Sequence, residues 1–215
     1  ANLSAANPFC NAVFRSGGNI AAVFLPPELG GDPATGYFQR VNQGTVKTSG
    51  IDVQLGYRMP TDFAIPESSL NLNLAMNYLI DYTVVGIGNL KRNYAGTASY
   101  FGADLGTSFP KWKATGNIAW NINPITLSTR IRYIDSMSNR AEKQFPGESF
   151  TGPKSIVYFD FAAEATVENV TLRLGVNNAF DKQPPTYAPN VQSGTDPSLY
   201  DVIGRRAYVS ARLKF

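Results

Sequence analysis

Long segments in which apolar and polar residues alternate constrain the fold of this chain most strongly. In the last segment, residues 204–215, one parity is entirely apolar: Ala207, Val209, Ala211, Leu213 and Phe215. The other parity of this segment holds arginine, tyrosine, serine and lysine. A period of two residues predicts a β-strand with one apolar face and one polar face.

The same alternation recurs along most of the chain. It is found in residues 46–58, 69–82, 112–121, 125–135, 155–166 and 169–178. No segment shows a helical period of useful length, so the fold class is predicted to be all-β with at least seven strands. Residues 1–45 are weakly patterned, with a short strand expected at 37–43. The predicted strands are longer than the 5 or 6 residues typical of soluble proteins.

The connections between these strands alternate in length. Residues 122–124 and 167–168 are short turns and 59–68 is a medium one, whereas 83–111, 136–154 and 179–203 are long loops. Short turns at one end and long loops at the other are typical of outer-membrane β-barrels. The sequence therefore predicts an antiparallel, up-and-down transmembrane β-barrel in the bacterial outer membrane. The last strand would run toward the periplasm, which places Phe215 at that end.

Composition excludes several kinds of function. The chain has no histidine and one cysteine, which removes zinc fingers, Ser-His-Asp triads and intrachain disulfides. Asp160 and Glu164 share a strand face about 13 Å apart, too far for glycoside hydrolysis. The 19 basic residues are scattered, so no nucleic-acid partner is expected. We predict neither catalytic activity nor a cofactor.

A membrane barrel and a soluble β-sandwich differ in what surrounds the apolar face. In a barrel this face contacts lipid. In a sandwich the apolar parity would be buried between two sheets. Trp112 and Trp120 share the apolar parity of one strand, eight residues apart, a rise of roughly 20 Å in a tilted strand. This approaches the spacing of about 25 Å between the aromatic girdles of a barrel. The membrane interpretation is favoured.

Several motifs resemble a known family. Residues 175–185, GVNNAFDKQPP, and the segment 200–215 resemble the closing part of TonB-dependent outer-membrane receptors, and residues 47–52 and 108–113 resemble descending strands of that family. The resemblance implies a 22-stranded barrel, of which residues 36–215 would supply the last seven or eight strands. Residues 1–35 would then be an irregular, extracellular-loop-like segment. The plug and the TonB box of the family have no counterpart in these residues.

The resemblance also implies a function for the intact protein. It implies uptake of a scarce ligand, such as a ferric siderophore, a cobalamin or an oligosaccharide, driven through the TonB complex. For Cys10, the functional interpretation is a disulfide to a cysteine upstream in the parent chain, and the alternative is an unpaired, incidental thiol. One alternative is a complete eight-stranded barrel acting as a passive channel or adhesion protein. Another is a soluble β-sandwich binding module.

Candidate site residues fall into three groups. The first consists of cations on the polar parity, where Arg130, Arg132 and Arg173, with Arg206 and Arg212, lie beside Asp52, Asp160 and Glu164. These charged residues could guide an anionic ligand or hold a plug by ion pairs. Alternatively, the cations and the carboxylates could pair across neighbouring strands as part of the barrel wall, and this structural role is favoured. The second is Tyr94, Tyr100, Tyr187 and Tyr200 in the loops, which could stack on a small-molecule or glycan ligand or serve structure.

The third group is the closing strand. Tyr208, Ser210, Leu213 and Phe215 look like the C-terminal signal that the barrel-assembly machinery recognises. Asn178, Phe180 and Asp181 are expected to stabilise the rim where strand becomes loop. The apolar parity is expected to contact the lipid of the outer membrane.

Overall fold

The computed structural model describes residues 45–85, 91–98, 108–140, 151–187 and 194–214. Ten strands occupy these ranges: β1 (Thr45–Pro60), β2 (Ser68–Val85), β3 (Lys91–Asn93), β4 (Thr97–Ala98), β5 (Trp112–Ile122), β6 (Ile125–Ile134), β7 (Ser138–Asn139), β8 (Ile156–Val167), β9 (Val170–Asn177) and β10 (Arg206–Leu213). The predicted segment 1–35, the predicted strand 37–43, Cys10, Tyr100 and Phe215 lie outside the described residues.

The chain divides into two units. Residues 47–82 and 93–215 form one of them, and residues 1–46 and 83–92 form the other. The structure describes only a few strand-end residues of the second unit. The site described below belongs to the first.

The long strands form one sheet in the order β1-β2-β5-β6-β8-β9-β10, with β3 added beside β2. From β5 to β10, each long strand is antiparallel to the long strand that precedes it in the chain. The predicted all-β, up-and-down antiparallel arrangement is confirmed. For β5–β6 and β8–β9, this pairing follows from the short turns, which let a strand fold back on its predecessor.

The register aligns like residues across the sheet. One row runs over six strands on the apolar face: Leu70, Trp120, Leu127, Ala163, Leu174 and Val209. A neighbouring row lies on the polar face: Ser69, Asn121, Thr126, Glu164, Arg173 and Ser210. Because residues paired across strands share a face, the two parities predicted from the sequence form two continuous surfaces.

The apolar surface is exposed rather than buried. Leu127, Leu174 and Val209 expose 43%, 49% and 69% of their area. Within the described ranges, the other sheet consists only of β4 and β7, two residues each, and cannot cover such a surface. The sandwich alternative, which requires this face to be the core, is therefore not supported.

The two ends of the sheet differ. Connections 61–67, 123–124 and 168–169 lie at one end, called here the turn end, and the connections from β2 to β5, β6 to β8 and β9 to β10 lie at the other, the loop end. The long connections were predicted to be loops, and they contain the short strands β3, β4 and β7. Strands of two or three residues are too short for a period to be seen in sequence.

Burial concentrates at the loop end. Seven hydrophobic residues form one cluster, named here the loop cluster: Ala98, Ile134, Met137, Ile156, Tyr158, Tyr187 and Tyr200. The parallel pairing of β4 with β7 joins two of the long connections beside it. The described part of the loop end is thus a packed body with its own apolar interior.

In the described ranges, no helix is both long enough and apolar enough to cross a membrane.

Candidate functional site

The polar face of the sheet carries a line of charged and amide side chains, called here the polar wall. It is defined by Asn117, Arg130, Arg132, Asp160, Glu164 and Arg173, contributed by β5, β6, β8 and β9. A pocket of about 340 Å³ opens on this wall, and Arg130, Glu164 and Arg173 are among its lining residues. Two of the three predicted ligand-binding arginines therefore share one pocket.

Two arginines of the polar wall are bound in ion pairs. The Arg132 guanidinium donates from Nε and Nη2 to the two carboxylate oxygens of Asp160, both at 3.0 Å. Arg173 Nη1 lies 3.3 Å from Glu164 Oε2. Both pairs join neighbouring strands, as the wall-structure interpretation predicted. The second pair is about 40% exposed on each side, so it contributes roughly 0–1 kcal/mol to stability.

Arg130 differs from these two arginines. Its Nε donates to the side-chain oxygen of Asn117 at 3.3 Å. Its side chain is exposed, and it makes no ion pair with the described residues. Although Asp160 lies opposite in register, that carboxylate is bound by Arg132. Arg130 thus has both Nη groups available to an anionic group.

Asp201 was not among the predicted residues, yet it connects a long loop to the wall. Its side chain is only 4% exposed and lies 3.5 Å from Arg132 and 3.4 Å from Arg206. Its backbone N–H donates to the hydroxyl oxygen of Tyr158 at 3.3 Å. The β9–β10 connection is therefore held to β6, β8 and β10 at once.

Asp196 joins two of the long loops. Its carboxylate accepts the backbone N–H of Ser108 at 2.9 Å and that of Ser198 at 3.0 Å. The second contact is the local turn that aspartate favours two residues before its partner. The Asp-Pro-Ser sequence could have signalled that turn, but not the contact to Ser108, 88 residues away.

The third loop is tied in by Asn139, whose side-chain amide donates to the backbone oxygen of Tyr187 at 3.0 Å. With the Asp196 contacts, all three long connections are linked by hydrogen bonds. The described part of the loop end is therefore one interlocked body.

The predicted loop tyrosines lie inside this body. Tyr94, Tyr187 and Tyr200 expose 7%, 6% and 3% of their area. The guanidinium of Arg140 lies 4.8 Å from the centre of the Tyr94 ring, and the hydroxyls of Tyr187 and Ser108 are 3.1 Å apart. Such burial is what the structural alternative predicts, while ligand contact by these tyrosines remains a prediction. Tyr100 lies outside the described residues.

Tyr200 has an unusual environment. Burial raises the pKa of its hydroxyl well above the ordinary value, and the nearby Tyr187, Tyr158 and Asp196 raise this pKa further. Its hydroxyl oxygen is buried without a hydrogen-bond partner among the described residues, as is that of Thr195. An unsatisfied buried hydroxyl destabilises the fold around it.

The predicted assembly signal is split between the two faces. Tyr208 lies on the polar wall, where its hydroxyl accepts a hydrogen bond from Arg173 Nε at 3.4 Å. Ser210 is opposite Arg173, and Leu213 lies on the apolar face opposite Val170. Phe215 is outside the described residues. Recognition by the assembly machinery remains a prediction.

Acidic residues do not gather into a metal site in the part of the chain that the structure describes. The polar wall instead alternates cations with carboxylates, and each carboxylate named above is engaged by an N–H donor. This arrangement is suited to binding and positioning.

An exposed apolar face, a charged opposite face and long loops at one end define the wall of an outer-membrane barrel. A comparison with protein families gives the particular family. Residues 14–179 match the model of the TonB dependent receptor-like β-barrel, and the chain belongs to that family. Its members are transport receptors of the outer membrane rather than enzymes.

The matched range includes residues 47–52 and 108–113 but stops before most of the closing segment. It begins inside the segment 1–35 that was predicted to be irregular. No curated protein and no solved structure gives a significant match.

Proposed function

We propose that this protein is a receptor that imports a scarce ligand across the outer membrane with energy coupled through TonB. A ferric siderophore, a cobalamin or an oligosaccharide is the expected class of ligand. The family membership of the barrel carries the proposal. The exposed apolar face and the polar wall with its pocket support it, since a transport wall needs one surface for lipid and one for the passage.

The proposed ligand contacts centre on Arg130. An exposed guanidinium can bind a carboxylate, a phosphate or a similar anionic group through two parallel hydrogen bonds. Arg132 and Arg173 are proposed to contribute to the electrostatic potential around Arg130. Their carboxylate partners already neutralise part of their charge. Tyr94, Tyr100, Tyr187 and Tyr200 are proposed to contribute to the ligand site at the loop end.

Energy coupling requires a contact with the TonB complex. We propose that this contact is made by a segment outside these 215 residues, and that the barrel-assembly machinery inserts the protein through its closing strand. Both partners follow from the family and from the resemblance of residues 200–215 to its closing segment.

Uptake by whole cells tests the proposal. Cells that produce the protein are given labelled ferric siderophores, cobalamin and oligosaccharides, with and without functional TonB. Saturable uptake of one ligand that requires both the protein and TonB is expected. Uptake that is unsaturable and independent of TonB would instead support the passive-channel alternative and contradict the receptor proposal.

A further inference from the structure

The turn that follows β9 carries an aromatic residue outward at the loop end. Phe180 is 69% exposed, and its ring packs edge-on against Phe159 at 5.4 Å and Phe161 at 6.1 Å between ring centres. Both partners belong to the apolar face of β8. The apolar face therefore continues past the strand ends onto the rim of the sheet.

This turn is rigidly held. Asn178 is fully buried, and its backbone N–H donates to Asp160 Oδ1 at 2.8 Å. Its side chain accepts the Lys182 N–H at 2.8 Å and donates to the Lys182 carbonyl at 3.0 Å. Asn178 and Asp181 have φ values of 47° and 50°, in the left-handed region that asparagine and aspartate tolerate. The outward position of Phe180 is thus built into the turn.

A groove of about 340 Å³ lies beside Phe180. Val157 and Phe159 line it together with Phe180, and Lys182 is the charged residue among the described residues that line it. The apolar side chains would suit an apolar chain, and the lysine ammonium would suit an anionic head group. A soluble anion would gain nothing from the apolar floor.

A second cation lies close to the same turn. The backbone N–H of Arg205 donates to Asp181 Oδ1 at 2.9 Å, which fixes Arg205 beside the turn. Arg205 is exposed and precedes Ala207 by two residues, so it has the parity of the apolar face of β10. Two acids lie at this turn. Asp181 Oδ1 is already engaged by that N–H, and both carboxylate oxygens of Asp160 are engaged by Arg132.

We propose that this groove binds a phosphate-bearing, acylated lipid of the outer leaflet. An acyl chain would lie along Val157, Phe159 and Phe180, and a phosphate would bind Lys182 and Arg205. The proposal rests on the proposed function, because that function places the apolar face in the outer membrane with the loop end outward. Continuity of the groove with the lipid-facing surface favours a lipid over a protein as its occupant.

Lipid binding to the full chain in liposomes provides the test. The probes are diphosphoryl lipid A and the same lipid with both phosphates removed, and bound lipid is measured by native mass spectrometry. Lys182→Gln is expected to weaken binding of the phosphorylated probe about fivefold and to leave the dephosphorylated probe unaffected. Phe180→Ser is expected to weaken binding of both probes.

Matched controls come from the turn end. Phe63 is 86% exposed and Lys214 is exposed, so Phe63→Ser and Lys214→Gln remove the same groups far from the groove. Equal lipid binding by Lys182→Gln and Lys214→Gln would overturn the proposal. The proposal would also be overturned if Phe180→Ser lost the binding of a protein partner while its lipid binding stayed unchanged.

The outcomes separate this proposal from the proposed function. A chain that fails to remain in liposomes after an alkaline wash contradicts the membrane receptor itself and the lipid site with it. A chain that remains in the bilayer, but whose groove variants behave like their controls, contradicts the lipid site alone.

Discussion

Gly175 and Tyr208 are paired across β9 and β10 on the polar face. A Cβ atom at Gly175 would lie 2.4 Å from Tyr208 Cζ. The aromatic ring must therefore cover a residue without a side chain. The same ring places its hydroxyl against Arg173.

Gly175→Ala should destabilise the barrel by about 1–3 kcal/mol, because the methyl group displaces a rigid ring. Thermal unfolding in detergent measures the change. Gly116→Ala is the control, since a Cβ atom there meets nothing within 4 Å. The double variant Gly175→Ala/Tyr208→Ser should recover part of the loss, and additive losses would contradict the contact.

Tyr200→Phe should stabilise the loop cluster by about 1 kcal/mol, because it removes a buried hydroxyl without a partner. Amide hydrogen exchange of residues 194–205 measures this change. A faster exchange than in the unmodified protein would contradict it.

The raised pKa of Tyr200 also predicts a dependence on pH. Because the folded pKa of Tyr200 lies above its unfolded value of 10.0, the stability of the folded state is independent of the ionisation of this residue below that value and falls as the pH rises toward the folded pKa. The loop cluster should therefore loosen above about pH 10. Tyr200→Phe should weaken this loss, and an unchanged alkaline profile would show that another group is responsible.

Arg130→Gln should reduce the affinity for an anionic ligand about tenfold, because it removes a charge-assisted hydrogen bond. Equilibrium binding of the transported ligand measures this effect. Arg212→Gln is the control, as Arg212 is an exposed cation near the turn end on the polar parity. Equal effects of the two variants would indicate general charge attraction instead of a site.

At the scale of elements, Asp201 holds the β9–β10 connection to the wall. Asp201→Asn should weaken that attachment by roughly 1–2 kcal/mol, since it removes the charge that faces two partly exposed arginines. Hydrogen exchange in residues 194–205 should become faster, with the long strands unaffected. Asp62→Asn, an exposed carboxyl of the turn end, should have no such effect.

Strands could be predicted from sequence far better than loop contacts. The segment 112–121 was predicted and β5 spans Trp112–Ile122, because alternation is a local signal that the sheet preserves. The same signal placed Arg130, Arg132 and Arg173 on one face. Asp201 lies 69 residues from Arg132, and no local pattern connects the two. The burial of Tyr187 and Tyr200 depends on such distant contacts, so the sequence left a structural role and a ligand-binding role both open.

At the scale of the whole molecule, the two faces of the sheet should respond oppositely to charge. Leu74 and Asn73 are adjacent and point to opposite faces, and Leu74 pairs with Gly116 midway between Trp112 and Trp120. Leu74→Arg should destabilise the membrane-inserted protein by about 2–4 kcal/mol. Asn73→Arg should cost little.

Urea unfolding from liposomes compares the two variants. Equal destabilisation by both would contradict the assignment of the lipid face. A larger effect at Asn73 would reverse that assignment.

The shared interior of the loop end constrains how such a receptor can be re-engineered. Ala98, Met137 and Tyr187 come from three different connections and pack in one cluster. A loop grafted singly from a relative would leave the other two without their packing partners. Transfer of ligand preference between relatives should therefore require the three loops to be exchanged together as one cassette.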